Sequence, residues 1–236
     1  MSRTVRGPLA RRLHTLVWLL PASGVKNRLL RRFGHVIARD ASLGSCVVLT
    51  LGHLHAGERA LIAAGSFVRG IREMVLSDDA AVGPWNILTA HPAFQHEGEN
   101  GVLWVGAHAV ITSRHSIDCS GRVVLGAFSS VGGHGTQVLS HEVDFTGPVQ
   151  TCADIEIGDH SFVGTRCTVL SGARLPDRSV LAAGSLLRRG PDEGAGLYTG
   201  SPARRKQALD GAWFHRPVGQ TRSLCDRSGQ VLHGAF

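Results

Sequence analysis

The sequence predicts an all-β-dominated domain in which the chain turns a corner every six residues and stacks its turns as parallel strands. Three observations predict it. In "IEIGDHSFVGTRCTVLSGARLPDRSVLAAGSLL", aliphatic residues recur at Ile157, Val163, Val169, Leu175, Leu181 and Leu187, an unbroken period of six. A small residue stands two positions before each of the last five: Ser161, Cys167, Ala173, Ser179 and Ser185. The same frame recurs upstream at Leu76, Val82 and Leu88, at Val105, Ile111, Ile117 and Val123, and after a two-residue shift at Leu125 and Val131. A helix repeats near 3.6 and an ordinary strand at two, so neither produces this pattern. A flat face of six residues does, with one aliphatic pointing inward and a small residue in the tight space beside the corner. Three such faces close one triangular coil.

Composition sets the outer bounds. The chain has 236 residues, 43% of them hydrophobic, enough to bury a sizeable core. No apolar run approaches the ~20 residues that span a bilayer. The cysteines (Cys46, Cys119, Cys152, Cys167 and Cys225) are dispersed without a CxxC pair, which reads as reduced thiols in a cytoplasmic protein. The net charge of +7 is concentrated at the start: residues 1–40 hold nine Arg and Lys against one acid, Asp40. The basic residues are not interleaved with stacking aromatics, so nucleic acid is not an expected partner.

Residues 1–40 form a basic amphipathic helical segment. Leu9, Leu13, Leu16, Val17 and Leu20 fall at helical spacing, Pro21 and Gly24 break the run, and "VKNRLLRRFG" follows as a second short helix ending at Gly34. The small-residue cleavage site of a signal peptide is lacking. Two readings remain open: a helix packed on the end of the main domain, or a peripheral membrane-surface helix with arginines toward anionic lipid.

From residue 41 the hexads take over. Together with the closing "YTGSPARRK", they resemble the hexapeptide-repeat acyltransferases over roughly residues 41–206, with the domain proper at 41–200 and a C-terminal extension at 201–236. Within that family the chain looks most like the maltose, galactoside and colanic-acid type of O-acetyltransferases. The resemblance implies a single-stranded left-handed parallel β-helix, a homotrimer, and acetyl-CoA in the groove between neighbouring prisms. After residue 206 hexads are absent; the start of the extension is expected to pack as a helix on the last coil, and its end to lack fixed structure.

The frame fails between Gln137 and Ile155, which predicts a loop over residues 138–154, where catalytic groups concentrate. It carries His141. A zinc helix needs H-E-x-x-H, and His-Glu-Val-Asp-Phe lacks the second histidine. His115, His134 and His141 depart from the spacing of the family's zinc-binding branch, so no metal is expected. "LTAHPAFQ" is a rival, because His91 matches the family's T-x-H-P signature by letter. His141 stands 59 residues before Gly200, the separation the resemblance requires, whereas His91 stands 109 before it. His141 is therefore the expected general base, with Asp144 at H-x-x-D spacing and Glu142 in place of the usual proline. Acyl transfer to an alcohol needs a group that takes the hydroxyl proton and returns it to the departing thiolate, as neutral imidazole does. Its second nitrogen needs an acceptor, and Asp144, Glu142 or a backbone carbonyl would serve.

His115 breaks the small-residue rule two before Ile117. The resemblance puts a substrate-binding asparagine near it and an aspartate at Asp118, so both are expected at the site; a corner histidine satisfied by backbone is the plainer alternative. It also implies that Thr165 and Ala183 meet the pantetheine arm, and that Arg188, Arg189 and Arg204 meet the CoA phosphates. Arginine suits these because its planar fork gives paired, charge-assisted hydrogen bonds. Trp85 and His91 are expected to shape the acceptor pocket, with Phe94, His96 and Trp104 on the same excursion offering flat faces and polar groups to a sugar; aromatics that cap the prism's hydrophobic interior are the plainer alternative.

The activity implied is transfer of acetyl from acetyl-CoA to a hydroxyl of a sugar or glycoconjugate, in polysaccharide or natural-product glycan assembly. The alternatives are N-acetylation of an amino sugar or antibiotic, and a non-catalytic β-helix binding module.

Overall fold

The computed structural model describes residues 7–96, 98, 100–190, 193–217, 224–225, 227–228 and 230–232. Short strands stack into two seven-stranded sheets and one nine-stranded sheet. All pairings within the coils are parallel, and the chain visits the sheets in strict rotation as far as Leu186–Leu187. We call them faces one, two and three, opening at Val36–Ile37, Ser42–Leu43 and Val47–Val48.

The period of six is the geometry of this prism. On face one, Ile37, Ala56, Leu76, Val105, Leu125, Ile157 and Leu175 stand in register. Face three aligns Val48, Val68, Leu88, Ile117, Val138, Val169 and Leu187 in the same way. All are buried in one continuous core. Each full burial of such a side chain contributes roughly 1.5–3 kcal/mol.

The small residues have a second task. At the corner entering face three, each side chain accepts the backbone N–H of the residue one coil on. Ser66 Oγ takes Asn86 N (3.1 Å), Asn86 Oδ1 takes His115 N (2.8 Å), His115 Nδ1 takes Thr136 N (3.1 Å), and Thr136 Oγ1 takes Cys167 N (3.2 Å). Buried corner donors that the sheets leave over are thus satisfied inside the prism.

The prism begins at Val36, earlier than residue 41, because Gly34 at φ +97° ends the helical segment and a β-branched pair follows. The frame also persists further than the hexads suggest. The glycine-rich corner, with Gly133 and Gly135 at φ +68° and +73°, takes one extra residue, and Val138 resumes the inward row. Of the loop expected over residues 138–154, residues 140–154 leave the prism, as an antiparallel hairpin pairing His141–Asp144 with Val149–Cys152. On face two, Val163 to Leu181 spans 18 residues, whereas Val82 to Ile111 spans 29 and Val131 to Val163 spans 32. The two longer coils hold the excursions carrying His91 and His141. Both leave from the corner that follows face three.

The last strands, Leu197–Gly200 and Ala203–Gln207, form an antiparallel pair on face two, so the prism runs through residue 207 rather than ending at 200. No α-helix follows among the described residues. A single 3₁₀ turn, Ala212–His215, lays Trp213 edge-on against Phe162, on the side of face two rather than on the last coil. Leu224–Cys225 pairs with Val231–Leu232, and the remainder of the tail expected to lack structure lies outside the described residues.

Two helices, α1 (Pro8–Leu19) and α2 (Gly24–Arg32), cover the first coil. Trp18 and Leu30 enter the core. The carbonyls of that coil are met by helix side chains: Arg31 donates to Ile37 O and Ala38 O, Asn27 to Ala41 O, and Thr15 to Val48 O. Lys26 is fully buried and donates to Gly44 O, Trp18 O and Leu20 O at 2.7–2.9 Å. Burial pulls its amine down to about 8. The packing face of α1 is therefore His14 and Trp18, and the leucine stripe of the sequence points outward.

Beneath α1 lies a neutral histidine pair. Leu54 N–H donates to His35 Nδ1 (3.0 Å), so His35 Nε2 carries the proton and donates to His14 Nε2 (2.8 Å), which also accepts Trp18 Nε1–H (3.0 Å). Burial pushes His14 down to about 4 and, with His14 and His53 nearby, His35 down to about 3. His115 is likewise pushed to about 4 by burial and by His134. With folded values below the unfolded 6.5, these groups contribute stability that is complete above pH 6.5 and is lost as pH falls toward 4 and 3. Thermal melts should drop between pH 6.5 and 4.5, before carboxylate protonation dominates. A flat profile over that window would contradict the buried neutral pairs.

Candidate active site

Stacking brings the chemistry together. Thr89, Asp118 and Leu139 are in register on face three, successive neighbours in a stack spaced by ~4.8 Å. The coil below Asp118 leads into His91 and the coil above into His141. Asp118 is 7% exposed. Its Oδ1 accepts Ser120 Oγ–H (2.6 Å), and its Oδ2 accepts Ser140 N–H (3.1 Å) and Ser140 Oγ–H (2.9 Å). The remaining donor is the ring of His141, with Nδ1 at 2.7 Å from Oδ2. A carboxylate already serving three donors acts as an acceptor, so Nδ1 carries the proton and Nε2 presents a lone pair. Nε2 has no protein partner among the described residues.

The two serines are themselves held. Ser120 Oγ accepts His91 N–H (2.9 Å), and Ser140 Oγ accepts Gly121 N–H (2.9 Å). The ring of Phe94 stands 5.9 Å from both His91 and His141. A pocket of about 350 Å³ opens here, lined by Arg69, Thr89, Ala90, His91, Pro92, Asp118 and His141. The two rival histidines thus share one pocket, and only His141 has its ring on the buried carboxylate.

Other expected residues fall elsewhere. Asp144 is not the partner of His141: its carboxylate accepts Thr146 N–H (2.8 Å) and Oγ1–H (2.6 Å) in the turn of the hairpin, and these bonds hold it below the usual carboxylate range. Glu142 is exposed on the same hairpin. His115 is 1% exposed inside the prism, with Nδ1 on Thr136 N–H and Nε2 donating to Thr112 Oγ1 (2.9 Å); it has no surface to offer an acceptor and is a member of the corner ladder. Trp85 is 63% exposed at the corner entering face three, stacked over Gly65, and lies outside the His141 pocket.

Thr165 and Ala183 share that entering corner, on consecutive coils. The Thr165 hydroxyl donates to His134 O (2.8 Å). Arg188 and Arg189 are exposed beyond the last strand of face three, on the His141 side. Arg189 lies so close over Gly172 that any Cβ there would collide with its guanidinium. It also lines a cavity of about 650 Å³ with the hairpin and Ser171. Arg204 is exposed, 3.9 Å from Glu193. Groups of three or more potential metal ligands are absent among the described residues.

Ser120, Ser140 and Arg69 escape a reading of the sequence. The serines flank "ID" and "HE" in plain view, but their role depends on which coil lies above which.

No protein-family model matches the chain, and no curated protein matches it. Among solved structures, it is similar to a point mutant of AntD, an N-acyltransferase from Bacillus cereus in complex with dTDP-4-amino-4,6-dideoxyglucose and coenzyme A, at 13% identity and TM-score 0.58 over 81% of this chain and 92% of that one. A second AntD mutant, in complex with dTDP and coenzyme A, gives 15% identity and TM-score 0.53 over 65% and 83%. The hexapeptide-repeat containing acetyltransferase VCA0836 from Vibrio cholerae gives 16% identity and TM-score 0.46 over 85% and 89%. At these identities the likeness is one of fold.

Proposed function

We propose that the protein, as a trimer of left-handed β-helices, transfers an acetyl group from acetyl-CoA to a hydroxyl of a sugar or glycoconjugate, with His141 as general base. The observation that carries this reading is the His141–Asp118 pair, whose free Nε2 meets a pocket also lined by His91. An acceptor hydroxyl there loses its proton to Nε2 as its oxygen attacks the thioester carbonyl. Asp118 stabilises the imidazolium, and Nε2–H then protonates the leaving thiolate, giving an ester and free thiol. Arg69 and the ring of Phe94 are suited to the acceptor's polar groups and its C–H face.

The donor end supports a shared site. Thr165 and Ala183 lie on the corner before face three and His141 on the corner after it, so a single prism separates them by a whole face. A closed threefold ring lets the entering corner of one subunit approach the leaving corner of the next. Light scattering should give about three times the 25.1 kDa chain mass; a fully active monomer would contradict the shared groove.

Charged contacts to the donor follow from the same reading. Arg204→Ala should raise KM for acetyl-CoA about ten- to hundredfold, the loss of one charge-assisted contact. Acetyl-pantetheine, lacking the nucleotide phosphates, should be used equally by both forms. Equal harm to both donors, with a lowered melt, would make Arg204 a structural partner of Glu193 instead.

A second reading, N-acylation of an amino sugar, is favoured by the AntD complex with its amino-sugar nucleotide. The two separate in one experiment. Purified protein is given acetyl-CoA with hydroxyl and amino-sugar acceptors, thiol release is followed, and the product, freed of acetyl-CoA, is treated with alkaline hydroxylamine, which cleaves oxygen esters and spares amides. If no acceptor of either class gives thiol release, despite donor binding, a binding module is left.

A further inference from the structure

We propose that the outer face of α1 docks on an anionic lipid bilayer and holds the first-coil end of the prism against a membrane. The proposal is independent of acyl transfer and rests on what α1 leaves uncovered. Leu9, Leu13, Leu16 and Leu20 are 70%, 47%, 58% and 39% exposed. At about 100° per residue these positions fall in one narrow arc, a continuous apolar stripe. The opposite side of the helix is committed, through Trp18, His14 and Thr15, to the prism. The stripe is therefore not a packing face awaiting the rest of this fold.

Its surroundings specify the partner. Arg11 and Arg12 on α1, and Arg28 and Arg32 on α2, are exposed, and the first acidic residue of the chain is Asp40. An apolar stripe on a pair of helices whose charged residues are all cations matches the boundary between acyl chains and anionic headgroups. A second copy of the same face is a poor occupant, because apposing two such surfaces brings arginine against arginine with no carboxylate between them. At twelve residues α1 is about 18 Å long. It lies along the interface; among the described residues no helix is long and apolar enough to cross a membrane.

The test uses the full chain and vesicle flotation. Vesicles of phosphatidylcholine with phosphatidylglycerol should carry the protein up the gradient at least about tenfold better than phosphatidylcholine alone, and added salt should weaken the effect. Leu13→Glu with Leu16→Glu should abolish flotation while leaving the thermal melt unchanged, since neither side chain enters the core. Arg12→Glu should weaken binding by about fivefold or more. Absence of a preference for the anionic vesicles, or wild-type flotation of the double variant, overturns the proposal. So does a fall in oligomeric mass confined to the double variant, which would make another copy of this chain the occupant. Thiol release on a soluble acceptor should be the same in both forms, so failure here leaves the catalytic reading to stand or fall separately.

Discussion

Replacing His141 with alanine should lower kcat by about 10²–10⁴ while acetyl-CoA affinity stays nearly constant, because the proton acceptor is lost and no donor contact is. The structure gives this expectation a control within the same pocket. His91 is exposed, and its backbone N–H, not its ring, holds Ser120. His91→Ala should therefore act on KM for the acceptor more than on kcat. Near-normal turnover in His141→Ala with a collapse in His91→Ala would exchange the two assignments.

Asp118→Asn should be nearly as damaging, about 10²–10⁴ in kcat, for a different reason. The carboxylate accepts from Ser120, Ser140 and His141 at once. An amide has one oxygen and brings an N–H of its own. Turned with its oxygen on Ser120, it puts its NH2 where Oδ2 stood, against Ser140 and His141, and offers a donor to His141, which then accepts at Nδ1 and carries its proton on Nε2, where the base should be. Nitrogen NMR of the His141 ring distinguishes this from simple loss of folding: the protonated nitrogen should move from Nδ1 to Nε2 in a protein that still melts cooperatively. Full activity in Asp118→Asn, or an unchanged tautomer, would remove Asp118 from the mechanism.

The partner of His141 shows why the site is less legible in the sequence than the fold. The inward rows can be read because each follows the last by six residues along the chain. The loop carrying His141 can be read because it interrupts that count. Asp118, however, lies 23 residues from His141, and their contact comes from the register of stacked coils, which Gly133 and Gly135 shift by one residue. A local search finds Asp144 at helix-like spacing, yet the hairpin sends it to Thr146. His115 misleads in the opposite way. Its polarity where the repeat wants a small residue resembles function, but Asn86 below and Thr136 above make it one rung of an internal ladder. The leucines of α1 fit two readings, inward against the domain or outward to a membrane surface; Trp18 and His14 are buried and complete a hydrogen-bonded network with His35, so they take the inner face.

The way the two helices meet the first coil bears on solubility. A stack of parallel strands is open at both ends, and each end exposes unpaired backbone groups able to recruit another prism, coil upon coil, into a fibre. At the C-terminal end the chain folds its last strand back antiparallel, reversing the direction that a parallel addition would need. At the N-terminal end the carbonyls of Ile37, Ala38, Ala41, Gly44 and Val48 are occupied by Arg31, Asn27, Lys26 and Thr15. These side chains act as a chain terminator for polymerisation: they supply the donors an incoming strand would have brought, on a helical backbone that passes no template onward.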